Sequence, residues 1–181
     1  FPTRRSSDLS GRVSVKERIE IRVSLPGDRP WIESLYPAAF PHEDLLPLVQ
    51  ALLEEASALS LVAVVGASPA GHAIFTRCTV TGCADEVALL GPLAVMPNLQ
   101  GSGIGSALVS AGLERLVREH VTHVYVLGDP AYYGQFGFAQ EADVDPPFPL
   151  PPEWRSAWQS ISLGAAQSPC RGTLSVPAPW L

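Results

Sequence analysis

The 181-residue sequence has few basic residues beyond its first thirty positions, and no lysine follows Lys16. Residues 31–181 hold five basic and 14 acidic side chains, so this part of the chain is acidic. An acidic surface repels phosphate backbones, which argues against a nucleic-acid partner and favours a cationic one. The missing lysine also excludes a nucleotide-binding P-loop, because that motif needs a lysine after its last glycine.

Long apolar runs are missing as well. The longest, 87–96 and 59–65, fall well short of the roughly 18 residues of a membrane span, and no basic start followed by an apolar segment suggests a secretion signal. The three cysteines, Cys78, Cys83 and Cys170, include no C-x-x-C pair, which argues against a disulfide framework or a zinc cluster. These absences predict a protein of the reducing cytoplasm, without a membrane partner and without a bound metal.

The first nine residues, FPTRRSSDL, lack an initiating methionine and any periodicity. They read like a translated sequencing adapter joined to a truncated gene, so we interpret residues 1–9 as non-native sequence. Hydrophobic residues make up 46% of the chain. That fraction suffices for a core, and residues 16–181 are expected to form a single domain.

The spacing of apolar residues predicts an α/β order of elements. Period-two runs and helical stripes predict strands over 16–25, 59–65, 72–80, 87–95, 122–127, 157–163 and 171–176, and helices over 30–40, 45–58 and about 104–119. We expect the second and third strands to form a hairpin with its turn at 66–71. The strand, glycine-rich loop, helix and strand between 87 and 127 predict a βαβ unit with parallel pairing. Five prolines within 143–152 predict an extended loop.

A glycine-rich loop, VMPNLQGSGIGS at 95–106, joins the fourth predicted strand to the third helix. Alternating glycines at a helix N-terminus expose backbone N–H groups and can cradle an anion, although they could also serve only a tight turn. The spacing fits a dinucleotide loop poorly, because Ser106 stands where the last glycine would be. Pro92 removes a ladder donor and suits a strand that parts from its neighbour. A long, phosphate-headed ligand could lie in such a gap, paired with the backbone of 93–95.

Two stretches resemble a known family. The run from Val95 to Leu108 is similar to motif A of the GNAT superfamily of acetyl-CoA-dependent N-acetyltransferases, whose core is Q/R-x-x-G-x-G/A. The stretch LGDPAYYGQFGF at 127–138 resembles the second signature, Y-x-x-x-G-F, in the wording of the bacterial YhbS-like subgroup, and 171–180 is similar to that subgroup's end. The family's usual asparagine in the second signature has no counterpart here.

The resemblance implies the GNAT acyl-CoA N-acyltransferase fold, an α/β (α+β) architecture. It has a mixed central sheet, helices on both faces, and splayed parallel strands at the cofactor site. It also implies acetyl-CoA as co-substrate. In the family the amides of the loop hold the pyrophosphate and the preceding strand pairs with pantetheine. The implied cofactor-binding residues are therefore Leu93, Ala94, Val95, Gln100, Gly101, Ser102, Gly103, Ile104, Gly105 and Ser106.

The implied reaction is transfer of acetyl to a primary amine, in a small molecule or a peptide, through a tetrahedral intermediate and with no metal. Tyr133 matches the family's tyrosine and is predicted to protonate the leaving thiolate, with Tyr132 as the second candidate. The family often forms dimers, so a homodimer is possible in principle. A non-catalytic acyl-CoA-binding module with the same fold is the alternative function.

The general base is less defined by the sequence. Glu43 and Asp44 lie between the two N-terminal helices, where the family's acceptor site is bordered, and Asp85 and Glu86 open the strand that leads to the cradle. Each of these is also a typical surface carboxylate. The four histidines show no metal spacing and are interpreted as structural or surface residues. The acidic balance of 31–181 favours a cationic acceptor.

Overall fold

A computed structural model describes residues 18–164 and 170–181 as nine strands and four α-helices. The strands are β1 (Ile19–Val23), β2 (Ala58–Val65), β3 (Ser68–Val80), β4 (Val87–Val95), β5 (His123–Leu127), β6 (Ala139–Gln140), β7 (Val144–Asp145), β8 (Trp158–Ser162) and β9 (Gly172–Ser175). The helices are α1 (Arg29–Ala39), α2 (Leu46–Leu53), α3 (Ile104–Arg118) and α4 (Pro130–Tyr133). The segment 1–9, interpreted above as non-native, lies outside the described residues, as does the start of the first predicted strand.

The strands form a mixed sheet in the order β1-β2-β3-β4-β5-β8-β6. Strands β1 to β4 are antiparallel neighbours, whereas β4 and β5 are parallel and are connected through α3. Strand β9 pairs with the far end of β3, at Thr79 and Val80, and with β7. The mixed sheet and the βαβ unit confirm the fold class predicted from the sequence.

Side chains alternate between the two faces of the sheet, because successive residues of a strand point in opposite directions. The face that carries Phe75, Leu90 and Val126 is covered by α3 and is called the α3 face. Helix α3 packs closely there, since a Cβ at Gly112 would lie 2.1 Å from the Phe75 ring. A glycine at this helix position therefore sets the distance between helix and sheet.

The other face, called the far face, carries Val62, Ile74, Leu89 and Tyr125. Helices α1 and α2 cover its β2–β4 side, and the segments after β7 and around β9 cover its β5 side. Trp180 packs with both groups and donates a hydrogen bond from Nε1 to Thr76 Oγ1 at 3.2 Å. Helices thus lie on both faces, as predicted.

Three local predictions were wrong. The β2–β3 turn is only Gly66 and Ala67, both with positive φ, because pairing continues through Ser68 and Pro69 and leaves room for a two-residue hairpin turn. Helix α2 ends at Leu53, since Ala58 already pairs with Thr76. The helical spacing over 104–119 predicts Val117 on the buried side of α3 together with Leu113 and Leu116, but Val117 is 47% exposed.

The prediction against a disulfide was also wrong. Cys83, in the turn after β3, is bonded to Cys170, which precedes β9, although 87 positions separate them. The sheet brings them together because β9 pairs with the end of β3. An odd cysteine count cannot show such a pair, and Cys78 is the buried cysteine left free. The bond also removes the argument for a reducing compartment that rested on cysteine usage.

None of the helices within 18–164 and 170–181 has both the length and the apolar character that crossing a membrane requires.

Candidate active site

Strands β4 and β5 part at the centre of the sheet. Their parallel pairing runs from Val87 with His123 to Leu90 with Val126 and stops there, while β4 continues to Val95. On its other side β4 stays paired with β3, but the register shifts where Gly91 and Pro92 lie. Pro92 lacks an N–H, so this is a natural place for a bulge and for the end of pairing. The β5-facing backbone edge of 93–95 is left open to a ligand, as the sequence predicted.

The glycine-rich loop reaches α3 through two residues in the left-handed region, Gly101 (φ 79°) and Gly103 (φ 90°). Side-chain contacts fold the loop back on itself: Gln100 Nε2 donates to the Val95 carbonyl at 3.3 Å, and Ser102 Oγ donates to the Leu99 carbonyl. Gly103 caps α3, whose first N–H groups have no acceptor within the helix. These donors and the helix dipole make the loop an anion cradle.

A cavity of about 460 Å³ lies between the open edge of β4 and the cradle. Eight of the ten residues predicted to bind the cofactor line it: Leu93, Val95, Gln100, Gly101, Gly103, Ile104, Gly105 and Ser106. Ser102 does not line it. The side chain of Ala94 is buried on the far face, so only its backbone could take part. Ala39 and Phe40, at the end of α1, complete the wall and were not predicted, since no motif marks them.

Helix α4 positions the two tyrosines. Asp129 caps the start of this helix, since its side chain accepts a hydrogen bond from the Ala131 N–H at 2.9 Å, and Pro130 occupies the first helical position. Tyr132 lines the cavity, and its hydroxyl would lie 2.5 Å from a Cβ at Gly105. It therefore sits on the wall of the cradle.

Tyr133 lies elsewhere, against the end of β5. A Cβ at Gly128 would come within 2.4 Å of its Cε2 atom, and its ring packs edge-on to Phe138 with centroids 5.7 Å apart. The pairing of β4 with β5 ends at Val126, and this end of the pairing is called the vertex; Gly128 follows it by two residues, so the Tyr133 ring lies next to the vertex. Burial raises the pKa of both tyrosines, more strongly for Tyr133, and keeps both hydroxyls protonated at neutral pH.

The four carboxylates considered as bases fall in two separate places. Glu43 and Asp44, with His42, line a cavity of about 380 Å³ that shares Phe40 with the cofactor cavity. Asp85 and Glu86 precede β4 at its opposite end, about 20 Å of extended strand away from position 93. Glu86 is paired there with Arg77 at 2.6 Å. Only the first pair adjoins the site.

His72 lies in the core beneath α1, consistent with a structural role. Its Nδ1 is 2.7 Å from the Tyr36 hydroxyl and its Nε2 is 2.7 Å from Ser60 Oγ. Burial lowers the pKa of His72 to about 3, so the ring is neutral. It ties α1 to the sheet and does not reach the cofactor cavity.

The splayed strand, the cradle and the α/β sheet define an acyl-CoA-dependent transferase fold, and comparison with known proteins gives its family. The model described as Acetyltransferase (GNAT) family matches residues 29–138, and the chain belongs to this family. It is an N-acetyltransferase. The matched span contains β4, the cradle, β5 and both tyrosines.

Two bacterial relatives show the same assignment. The uncharacterized N-acetyltransferase YjhQ of Escherichia coli strain K12 is 40% identical over 126 residues, which cover 65% of this chain and 70% of YjhQ. The uncharacterized N-acetyltransferase YhbS of the same strain is 35% identical over 127 residues, which cover 69% of this chain and 76% of YhbS.

Two crystal structures with bound CoA species share the fold. That of Escherichia coli YhbS in complex with CoA has a TM-score of 0.81 and 31% identity, over 90% of this chain and 92% of that one. That of a GNAT family acetyltransferase from Brucella melitensis in complex with acetyl-CoA has a TM-score of 0.72 and 28% identity, over 90% of this chain and 97% of that one.

Proposed function

We propose that this N-acetyltransferase moves acetyl from acetyl-CoA to a primary amine of a small molecule or peptide by direct attack. The observation that carries the proposal is the continuous cavity between the open edge of β4 and the cradle. A strand edge can pair with the amides of a pantetheine chain, and a helix N-terminus can hold its pyrophosphate. The relatives crystallised with CoA and acetyl-CoA support this choice of ligand.

In this proposal the backbone of 100–106 holds the pyrophosphate and the backbone of 93–95 holds the pantetheine. Both contacts use backbone N–H and C=O groups, so the glycines serve by the absence of side chains. The thioester then lies near Pro92 and Leu93, because the pantetheine runs from the cradle back along β4. A strand N–H that points at the carbonyl oxygen would stabilise the negative charge that develops there, typically by a few kcal/mol.

The chemical step needs one proton removed and one supplied. The neutral amine attacks the thioester carbon and forms a tetrahedral intermediate; as it collapses, the attacking nitrogen gives its extra proton to water, the C–S bond breaks and the electron pair stays on sulfur. In this proposal Tyr133 donates its proton to that thiolate, since its ring lies against Gly128, just beyond the end of the β4–β5 pairing. Its raised pKa keeps it protonated until the thiolate forms. The scheme calls for no metal.

The amine must lose a proton before it attacks, since an alkyl ammonium has a pKa of about 10.4. Glu43 and Asp44 line the cavity next to the cofactor cavity, and we propose this pair as the place where the proton leaves, directly or through water. The same carboxylates favour an acceptor that arrives as a cation.

The test is acetyl-CoA binding by calorimetry, followed by release of free CoA in the presence of a panel of amines, polyamines, amino acids and peptides. We expect acetyl-CoA to bind and at least one amine to release CoA. ATP and NAD serve as controls. If either protects the protein against thermal unfolding better than acetyl-CoA does, acetyl-CoA is not the co-substrate. Tight acetyl-CoA binding without turnover on any amine supports a non-catalytic acyl-CoA-binding module instead.

A further inference from the structure

The backbone of β4 is irregular at Gly91 and Pro92, just before the open edge that lines the cofactor cavity. The register with β3 shifts here, because these two residues of β4 lie opposite the single residue Ile74 of β3. Pro92 has no N–H to donate, and the ladder of hydrogen bonds is disrupted at such a bulge. Regular strand pairing therefore does not by itself fix the backbone of Gly91 and Pro92, so its position depends on other contacts.

The side chain of Trp180 packs against this bulge from the far face. A Cβ on Gly91 would lie 3.5 Å from Cη2 of Trp180, so the indole ring faces the side of the strand from which a side chain would project. Gly91 has a φ of 143°, in a region that glycine adopts readily. Because Gly91 has no side chain, the ring packs directly on the strand backbone.

Trp180 is itself held by a second strand and by a helix. Its Nε1–H donates to Thr76 Oγ1 at 3.2 Å, and Thr76 is fully buried in β3. The turn that carries the ring, Ala178–Trp180, contacts α2, and the backbone N–H of Trp180 donates to the Pro177 carbonyl at 3.1 Å. The ring thus joins β3, β4 and α2 at the bulge.

This contact lies beside the cofactor cavity and outside it. Leu93, two residues after Gly91, lines the cavity, whereas Trp180 does not. In the proposed reaction the thioester lies near Pro92 and Leu93, and a strand N–H stabilises the charge on its carbonyl oxygen. The aim of that N–H depends on the backbone at the bulge, because a hydrogen bond weakens steeply as its angle departs from linearity. A misplacement of about 1 Å can lower the rate about 100-fold.

We propose that Trp180 is a positioning residue for acetyl transfer: its ring fixes the β4 bulge and thereby aims the strand N–H at the acetyl carbonyl. The inference rests on the acetyl transfer proposed above. Trp180 acts through Gly91 and Pro92 and touches no reacting atom. Loss of the ring should therefore slow the chemical step more than it weakens acetyl-CoA binding, since the cradle at 100–106 is formed by other residues.

The first measurement is steady-state kinetics of Trp180→Leu with any amine that the wild type acetylates. We expect kcat to fall about tenfold and the KM for acetyl-CoA to change less than about threefold. Trp154→Leu is the matched control, because Trp154 is 52% exposed and lies outside the cofactor cavity; it should keep both values. Thr76→Val removes the acceptor of the indole N–H with little change of shape, and should give a smaller fall in kcat.

A second measurement needs no acceptor. It is the infrared stretch of the thioester carbonyl in acetyl-CoA that is isotopically labelled at that carbon and bound at saturation. A hydrogen bond to the oxygen weakens the C=O bond, so the frequency on the wild type should be lower than in free acetyl-CoA. Trp180→Leu should return it toward the free value, and Trp154→Leu should not. A residue that only stabilises the fold would lower the urea midpoint and leave this frequency unchanged.

An unchanged frequency in Trp180→Leu overturns the inference, as does a wild type whose bound carbonyl is not shifted. If Trp180→Leu does not fold, Thr76→Val decides, and a frequency equal to that of the wild type overturns the inference. If the frequency depends on Trp180 but no amine releases CoA, the positioning of the carbonyl is supported and only the proposed transfer fails. Absence of acetyl-CoA binding to the wild type overturns both.

Discussion

The two faces of the sheet are built from the chain in different ways. The cofactor side, between the α3 face and the splayed strands, comes mainly from two short stretches, 93–106 and 128–138. The far face is assembled from α1, α2, the proline-rich loop and the C-terminal segment, which lie far apart in sequence. The Cys83–Cys170 bond ties the start of the C-terminal segment to the turn after β3.

This difference corresponds to two kinds of recognition. The cradle is lined by backbone groups, whose position depends on φ and on the absence of side chains. The far face instead presents charged side chains, among them Asp145 and Arg155, around a cavity of about 490 Å³. A family can therefore keep one cofactor site while its acceptor site varies. The predictions below separate the two sides, beginning with the largest effect.

Loss of the Cys83–Cys170 bond should destabilise the fold more than it disturbs the cradle. A bond that closes a loop of nearly ninety residues stabilises by about 4.6 kcal/mol in the loop-entropy description. We expect Cys83→Ser to lower the free energy of unfolding in urea by about that amount, with the acetyl-CoA dissociation constant changed less than about threefold. Cys78→Ser is the control: it keeps the Cys83–Cys170 bond, so its free energy of unfolding should still fall when reductant is added. Equal stability with and without reductant would contradict the prediction.

Replacement of Tyr133 tests whether this side chain is the general acid of the transfer step. Tyr133→Phe removes the proposed acid and should lower kcat about 100-fold or more, as expected for loss of general acid catalysis. Tyr132→Phe is the matched control on the cradle wall. It should lower kcat by less than about tenfold and mainly affect acetyl-CoA binding. If Tyr133→Phe retains full turnover while Tyr132→Phe does not, the acid is Tyr132.

A fall in pH should lower the free energy of unfolding through His72, which lies beneath α1. Its pKa is lowered to about 3 in the folded protein by burial, whereas an unfolded histidine titrates near 6.5. The unfolded chain thus binds more protons between these values, and stability falls as the pH drops below about 6.5. From pH 7 to pH 5 this histidine should account for a loss of about 2 kcal/mol in the free energy of unfolding.

Urea unfolding of His72→Gln at the two pH values checks this contribution. The variant should show a smaller pH dependence than the wild type, since its side chain does not titrate. His42→Gln, at an exposed position in the α1–α2 loop, should keep the wild-type dependence. An identical dependence in His72→Gln and wild type would be evidence against a neutral, buried His72.

The smallest effect concerns the cradle. Gly103 has φ 90°, a conformation that costs other residues about 1–2 kcal/mol, although a Cβ would meet no neighbour. Gly103→Ala should weaken acetyl-CoA binding up to about tenfold by calorimetry. Gly27→Ala, at an open position without positive φ, is the control. Unchanged binding in Gly103→Ala would show that the loop adapts.

Much of the architecture was predictable because its signals are local. Three elements can be recognised from their own residues alone. They are the alternating strand around Ile19–Val23, the apolar run of β4 and the helical stripe of α3. Predictions failed where pairing with a distant strand decided the boundary. Ser68 and Pro69 are typical turn residues, yet they extend β3 because β2 supplies partners for them.

The candidate site divides in the same way. The cradle, Pro92 and the two tyrosines could be found from spacing and resemblance, and eight of ten cofactor residues line one cavity. Ala39 and Phe40 could not, since each is an ordinary residue until the fold places it in the cavity wall. By sequence, Asp85 and Glu86 are as suitable a base as Glu43 and Asp44. The length of β4, however, separates Asp85 and Glu86 from the cofactor cavity.

The sequence by itself determined the α/β order, the anion cradle and the acetyltransferase resemblance, because these depend on glycine, proline and tyrosine at fixed short spacings. The tertiary structure alone decided that Cys83 meets Cys170, that the Tyr133 ring lies against Gly128 at the end of β5, and that Arg155 lines a second cavity. Contacts of this kind join residues tens of positions apart. No local pattern records them, since they arise only when strand pairing and packing bring the segments together.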